Sequence, residues 1–476
     1  MPARRPHGRR RLLIEIGGLI ALSLVAFASG AALAAVSAIA ADWSPLVFVG
    51  LVALPLLALA VIADPLIGVF AVLATVPIGS ASVAVGFVSV QAIEGAVFVV
   101  ALLVVVRRLA LGKTPLPWAL PFGFALALIG WVTIALYSAL DETRGVKQLL
   151  SLSGGLVFAA VVLAAAKDLV DLRRILAAFV VAGTAAAAVA VSGGANFENV
   201  QYGGSQVSGR LHGAFSEPNQ LGSMCAMAIA VAAGLVFGCR TRRGRLLAAL
   251  SLPILMAALL LTLSRGAWIG AALGIALLLL TLREARELLL FLSVPLIVVA
   301  LIAGRFAADE PQLTVVGERA KAITVLSPYD ERAAIWREAI REIKEDPLTG
   351  EGPGNFPVAS VRAASYASLV YADHAHNLAL NWAAEDGLPA LALVFAFAVA
   401  LTVPAYRASR RLRQDGRRRD RAVLLGVAAA LLTVVGQGTV DYTLGNSVLH
   451  VAVWLLVGAL IVASGEGGSA RRAAAA

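Results

Sequence analysis

Stretches of about twenty apolar residues recur along the chain, separated mostly by short charged breaks, and this alternation limits the fold more than any motif does. A bilayer-spanning helix needs about 20 predominantly apolar residues, and lipid tolerates only segments that satisfy their own backbone hydrogen bonds. The 476 residues are 60% hydrophobic and 14% charged, with a mean hydropathy of +0.86, outside the range of soluble globular proteins. The expected fold is all-α, a polytopic membrane protein of about 12–14 transmembrane helices. Spans are expected near 12–41, 45–62, 65–82, 92–110, 117–138, 148–166, 173–192, from Pro218 onward, 246–263, 266–282, 288–304, 378–403, 422–440 and 447–464. The run at 12–41 is too long for a signal peptide and is expected to be a retained first helix.

The formal net charge of +10 points to the membrane rather than to nucleic acid, because of where the charge lies. Of the 39 Lys and Arg, 27 fall in alternate breaks: the N-terminus, 107–113, 167–174, 240–245, 283–286, 407–421 and 471–472. That is the positive-inside pattern, so these breaks are expected in the cytoplasm of a cell whose inner membrane holds the chain. The eight arginines of 407–421 suit anionic lipid headgroups. Cys225 and Cys239, about 21 Å apart if they share a helix, cannot pair with each other.

The other face then carries the long polar intervals. One expected outer loop runs over 141–147, where Arg144 and Lys147 are either phosphate contacts or parts of a hydrated turn. A second, over 192–218, is rich in Gly, Asn, Ser and Gln and ends in Gly209-Arg210-Leu-His212-Gly213-Ala-Phe215-Ser-Glu217-Pro218-Asn219. Pro218 suits the first turn of the next helix, and Arg210 is either a turn residue or a substrate contact. Residues 246–282 read as one helix would span about 55 Å against a hydrocarbon core of about 30 Å, so the chain must reverse at Ser264-Arg265-Gly266. An arginine in the apolar middle would cost about 2.5–3.5 kcal/mol, so Arg265 is expected at the interface, snorkelling or holding an anion.

The largest outer interval, 305–377, carries eight Lys or Arg against eleven Asp or Glu. It contains an amphipathic pattern over 331–345, in which Arg332 opens the helix, and a turn-forming run, Gly350-Glu-Gly352-Pro-Gly354-Asn355-Phe356. This run lacks the preceding strand and following Lys-Ser/Thr of a phosphate loop. The interval closes on Asp373-His374-Ala375-His376-Asn377 at the start of the next span. The two histidines fit three roles: metal ligands, helix-capping groups, or a general base that titrates near neutral pH.

Several of these segments together resemble the bacterial O-antigen ligase and Wzy-type polymerase superfamily. They are Leu263-Ser264-Arg265-Gly266-Ala267-Trp268, Arg332-Ala-Ala-Ile335-Trp336, Pro347-Leu-Thr-Gly350-Glu-Gly352-Pro-Gly354-Asn355-Phe356, and His376-Asn377 followed by nine residues and then Gly387. Gly209-Arg210 followed by Phe215 and Pro218-Asn219 adds to them. The resemblance covers about 205–400, a ligase- or polymerase-like core that includes the periplasmic interval 305–377. It is flanked by N-terminal spans, 1–204, and by a basic loop with C-terminal spans, 401–476.

The resemblance implies a GT-C-like glycosyltransferase with a large helical periplasmic loop. The donor would be an undecaprenyl-diphosphate-linked glycan and the acceptor lipid A core oligosaccharide, or a second lipid-linked glycan in a polymerase. It implies that His376 is the catalytic base, that Arg265 and Arg332 bind the diphosphate with Arg210 assisting, and that inversion proceeds with neither metal nor nucleotide cofactor. His374 and Asn377 are expected to support the base. A protein oligosaccharyltransferase, a flippase of lipid-linked glycans and a non-catalytic envelope partner are the competing readings.

Overall fold

A computed structural model describes residues 45–80, 82–85, 88–114, 116–192, 198–202, 205–287, 332–363 and 372–465. The expected spans near 12–41 and 288–304, the outer residues 305–331 and the basic termini lie outside the described residues. Helix α1 (Pro45–Ala63) meets α2 (Pro65–Ala74) at Asp64, whose carboxylate accepts the Leu66 N–H at 3.3 Å. The expected span to 82 is cut short. After a 3-10 turn, Val76–Ile78, the chain forms an antiparallel hairpin of β1 (Ser82–Val85) and β2 (Val88–Gln91). Valines alternating with small or polar residues give this stretch a two-residue period, which a strand accommodates and a helix does not.

Helices α3 (Ala92–Ala110), α4 (Leu120–Ala135), α5 (Glu142–Ala165) and α6 (Leu169–Ser192) follow. The expected loop at 141–147 is instead the first turn of α5. Asp141 caps it by accepting from Thr143 N at 3.0 Å and Arg144 N at 3.3 Å. A second hairpin, β3 (Glu198–Tyr202) with β4 (Ser205–Arg210), leads to α7 (Pro218–Gly238), α8 (Arg242–Leu261) and α9 (Arg265–Thr281). Pro218 occupies the first turn of α7, and the chain reverses between α8 and α9 at the expected tripeptide. Then come α10 (Arg332–Glu345), α11 (Phe356–Ala363), α12 (Leu378–Gln414), α13 (Arg418–Gly438) and α14 (Ser447–Ser464).

Among the described residues, eight helices are long and apolar enough to cross a membrane, and Leu54–Ala63, Pro65–Ile78 and Arg265–Thr281 are shorter apolar helices. The protein is an all-α polytopic membrane protein with two short hairpins. Helix α7 lies at its centre, 83% buried over its apolar window and packed on α6, α8, α9 and α13. Small residues allow these helices to approach closely. A Cβ on Gly234 of α7 would come within 2.6 Å of the Cα of Gly426 on α13, and one on Gly270 of α9 within 2.3 Å of the Thr433 carbonyl.

The bundle has two polar ends. At one, Lys167 pairs with Asp64 at 3.5 Å, Arg107 donates to the Ala63 carbonyl at 3.4 Å, and Arg173 pairs with Asp420 in a buried contact. This end carries the basic breaks. At the other, Ser447 donates to Glu94 at 2.6 Å and Asn446 donates to Gln220 at 2.9 Å. The described parts of the outer interval, 332–363 and 372–377, and the α8–α9 reversal belong to this second end.

Candidate functional site

The α8–α9 reversal is built on one unusual backbone conformation. Leu263 has φ 52, in the left-handed region that non-glycine residues seldom adopt, and Ser264 then caps α9 by accepting from Ala267 N at 3.3 Å. Arg265 therefore stands at the first position of α9, at the polar rim. Its neighbour Gly266 faces α13 and the loop after it, where an added Cβ would lie 3.8 Å from the Cβ of Asp441.

Arg210 comes to the same place from the end of β4. Its Nε donates to the Thr262 carbonyl at 3.0 Å, just before the reversal, and its Nη2 donates to Asn219 Oδ1 at 2.6 Å. The Asn219 carbonyl in turn accepts from Gln437 Nε2 at 3.1 Å. The guanidinium is 6% exposed. Its contacts tie the second hairpin to α7, α8 and, through Asn219, to α13.

The histidine segment arrives from the outer interval. Asn377 caps α12, its Oδ1 accepting from Ala379 N and Leu380 N, both at 3.0 Å, while its Nδ2 donates to the Thr439 carbonyl at 2.9 Å. The immediately preceding His376 has φ 46, the second left-handed non-glycine position among the described residues. Strained conformations of this kind persist where the surroundings over-determine them, and they cluster at functional sites. Here the turn directs His376 Nδ1 to Asp441 Oδ1 at 2.9 Å. Asp441 is 2% exposed, whereas the His376 side chain is 25% exposed.

Burial pushes the Asp441 carboxyl up. The hydrogen bond from His376 and the charges of His376, His374 and Arg332 outweigh this and hold it below the ordinary range. The same balance brings Arg332, the first residue of α10, into the group. A charged carboxylate at Nδ1 accepts a proton donor there, which leaves the lone pair of a neutral imidazole on Nε2. His374 packs edge-on against His376, with ring centroids 4.2 Å apart, and lies 5.7 Å from the Tyr442 ring. Burial, followed by the charge of His376, lowers the His374 pKa to about 4. Donor atoms of His374, His376 and Asp441 all lie within 4.8 Å of one another, close enough to share a cation.

His376 and His374 thus meet Asp441, Arg332 acts on its charge, and Asn377 is held beside them on the Thr439 carbonyl, while Arg210 and Arg265 flank the reversal at the same end of the bundle. Sequence reasoning missed Asp441, which lies between two apolar spans and 65 positions from His376. It also passed over Glu217, the residue that begins α7. Burial raises the Glu217 pKa, with the charges of Asp441 and Asp373 adding to the effect and those of His376 and Arg210 opposing it.

The glycine run is a clasp rather than a phosphate cradle. α12 bends at Gly387 (φ 81, ψ 171), so the nine residues Leu378–Asp386 form a separate outer helix ahead of the span. A Cβ on Gly387 would sit 1.8 Å from the Leu348 carbonyl, and one on Gly350 2.3 Å from the Ala384 carbonyl. Leu388 N donates to the Pro347 carbonyl and Glu351 N to the Ala384 carbonyl, both at 2.9 Å. Asn355, fully buried, accepts from Asp141 N at 2.6 Å and donates to the Pro353 carbonyl at 2.8 Å. The spacing from His376-Asn377 to Gly387 is thus the length of one short helix, clamped at its far end.

Taken together, the fold and this rim define a polytopic membrane protein with a carboxylate-oriented histidine at one polar end. Residues 248–395 match the family model described as O-antigen ligase. The match contains Arg265, Arg332, His376 and Gly387; Arg210, Glu217 and Asp441 lie outside it. No curated protein matches the chain.

Proposed function

We propose that the protein is an O-antigen ligase-type glycosyltransferase of the bacterial inner membrane. It moves a glycan from undecaprenyl diphosphate to lipid A core oligosaccharide on the periplasmic face. The observation that carries this reading is the His376–Asp441 pair, with the base nitrogen turned from the carboxylate, Arg332 acting on the Asp441 charge, and Arg210 and Arg265 at the same end of the bundle. The positive-inside rule makes the basic end cytoplasmic and this rim periplasmic.

In the proposed reaction an acceptor hydroxyl oxygen attacks the anomeric carbon of the donor sugar as the bond from that carbon to the diphosphate oxygen breaks. The hydroxyl proton passes to His376 Nε2, and Asp441 stabilises the imidazolium. Undecaprenyl diphosphate leaves with the electron pair, its charge met by Arg265, Arg332 and Arg210. Attack opposite the leaving group inverts the anomeric centre. His374, which burial keeps neutral, packs beside His376 without competing for its proton.

The test is reconstitution of the purified protein with an undecaprenyl-diphosphate glycan, offering lipid A core and a second donor molecule as acceptors, with and without a chelator. Transfer to lipid A core that survives chelation is expected. Transfer only to the second donor would make the protein a polymerase. Activity lost on chelation and restored by a divalent ion would overturn the base assignment in favour of a cation on His374, His376 and Asp441.

A further inference from the structure

The short outer helix Leu378–Asp386 carries two buried polar side chains that the reaction as written does not use. Asn381 and Glu385 are 1% and 4% exposed and lie one helical turn apart, on one face. Asn381 Nδ2 donates to Glu385 Oε2 at 2.9 Å, and Asn381 Oδ1 accepts from the Ala375 N–H at 3.0 Å. Glu385 Oε1 accepts from the Phe356 N–H at 3.3 Å. A chain of hydrogen bonds thus runs from the end of the glycine clasp to Ala375, the buried residue between the two histidines. The helix that carries it is itself anchored, because Trp131 Nε1 donates to the Asp386 carbonyl at 2.9 Å and Gln148 Nε2 to Asp386 Oδ2 at 3.1 Å.

The chemistry of the two ends dictates what stands between them. A backbone N–H can only donate and a carboxylate can only accept, so the bridging group must offer an acceptor on one side and a donor on the other, which an amide does. An apolar residue at 381 would leave the buried Ala375 N–H without an acceptor. That N–H matters because His376 follows it in the left-handed conformation, φ 46, which a non-glycine residue keeps only where its surroundings fix it. On the far side of His376, Asn377 is held to α12 and to the Thr439 carbonyl. Asn381 supplies the grip on the near side, and between the two grips the imidazole points at Asp441.

We infer that Asn381 and Glu385 are positioning residues for transfer. They touch no reacting atom and act by holding the strained histidine turn in register with Asp441. The inference rests on the reading of His376 as the base. It also gives the interval from His376-Asn377 to Gly387 a purpose: the helix is long enough to place both side chains against the turn before the bend releases the chain into the membrane.

The test measures transfer kinetics and amide hydrogen exchange of Asn381→Ala and Asn381→Asp in nanodiscs. In Asn381→Ala the kcat should fall by about 10²-fold, the cost of displacing a reacting group by about 1 Å, with the donor KM unchanged. Exchange of a peptide spanning 373–377 should quicken while exchange beyond Gly387 stays as in wild type. Asn381→Asp covers the case in which the alanine variant does not fold. It keeps the acceptor for Ala375, and when protonated it also restores the donor to Glu385; ionised, it sets two carboxylates against each other. Its kcat relative to wild type at the same pH should therefore rise as pH falls. Glu342, Asp386 and Tyr442, the ionisable groups that feel the Glu385 charge, are present in both proteins, so the ratio isolates position 381. An undiminished kcat in Asn381→Ala, a change confined to KM, unaltered exchange at 373–377, or a ratio for Asn381→Asp that is flat with pH overturns the inference. His376→Ala separates it from the reading beneath it. An inactive His376→Ala beside a fully active Asn381→Ala removes the positioning role and leaves the base standing. Full transfer by His376→Ala, with the turn still loosened in Asn381→Ala, removes the base and with it the role of the hydrogen-bond chain in transfer.

Discussion

The two ends of the bundle use the same residue types in opposite ways. At the basic end several cations are matched locally. Arg173 and Arg417 share Asp420, Lys167 meets Asp64, Arg418 lies 3.5 Å from Glu284, and Arg421 donates to Ser409 and to the Thr281 carbonyl. At the other end, two histidines meet the carboxylate of Asp441, Arg332 acts on its charge, and Glu217 and Asp373 lie near, beside a cavity. Local pairing of this kind staples helices together. Cations converging on an acid–base pair favour an anionic ligand. If this contrast is right, substitutions at the basic end cost stability and substitutions at the opposite rim cost turnover.

The sharpest way to break the contrast is His376→Ala. Removing a positioned base costs about 10²–10⁴-fold in rate. Transfer should fall by that much while thermal stability and binding of labelled donor stay close to wild type. Asp441→Asn should approach the same loss, because an amide can present a donor to Nδ1 and so favour the wrong tautomer. A variant that melts early with turnover per folded molecule intact would make this pair structural.

The mirror experiment is Asp420→Ala at the basic end. It leaves Arg173 buried without its carboxylate, a change that costs about 3–5 kcal/mol in comparable buried pairs. The melting temperature should drop, with turnover per folded molecule unchanged. An unchanged melting temperature combined with lost transfer would show the two ends to be coupled.

Third in size is the arginine rim. Arg265→Ala and Arg332→Ala each remove a charge-assisted contact worth about 1.5–3 kcal/mol, or about ten- to a hundredfold, from the diphosphate. Lysine at either position should recover only part of this, because a point charge does not reproduce a planar fork. If the alanine variants bind and transfer the donor normally, the convergence has no bearing on the reaction.

Much of this rim could be read from the sequence because its pieces carry local chemistry. An arginine between two apolar runs must sit at an interface, and a capping role was open to the histidines at the start of the span, although it is Asn377 that fills it. What stayed hidden depended on contacts between distant segments. Asp441 gains its meaning only when α13 ends beside the histidine turn. The bend at Gly387 was invisible because apolar periodicity continues through it; only the Leu348 carbonyl pressed against it reveals why a glycine stands there. The 141–147 segment was misread as a loop because its mixed charges masked an Asp141 cap. The expected span to 82 failed because hydropathy alone does not distinguish a buried helix from a valine-rich hairpin.

The smallest expected effect tests whether the functional rim also carries a stability cost of its own. The pKa of His374 is lowered in the fold to about 4 from an ordinary value of 6.5, mainly by burial. Between those values the unfolded chain binds the proton that the folded protein refuses, so stability falls as pH drops through that window and is fully present above it. From neutral pH to about pH 5 the loss should be about 2 kcal/mol. His374→Gln keeps a polar group of similar size and removes the titration, so its melting temperature should depend less on pH over the same range. Asp441, whose pKa is depressed, contributes in the same sense but lower on the scale, its share being lost only as pH falls through its folded value. A variant whose acid sensitivity matches wild type would mean that the loss of stability arises elsewhere. The rim would then resemble the basic end, satisfied in the fold and costing it nothing.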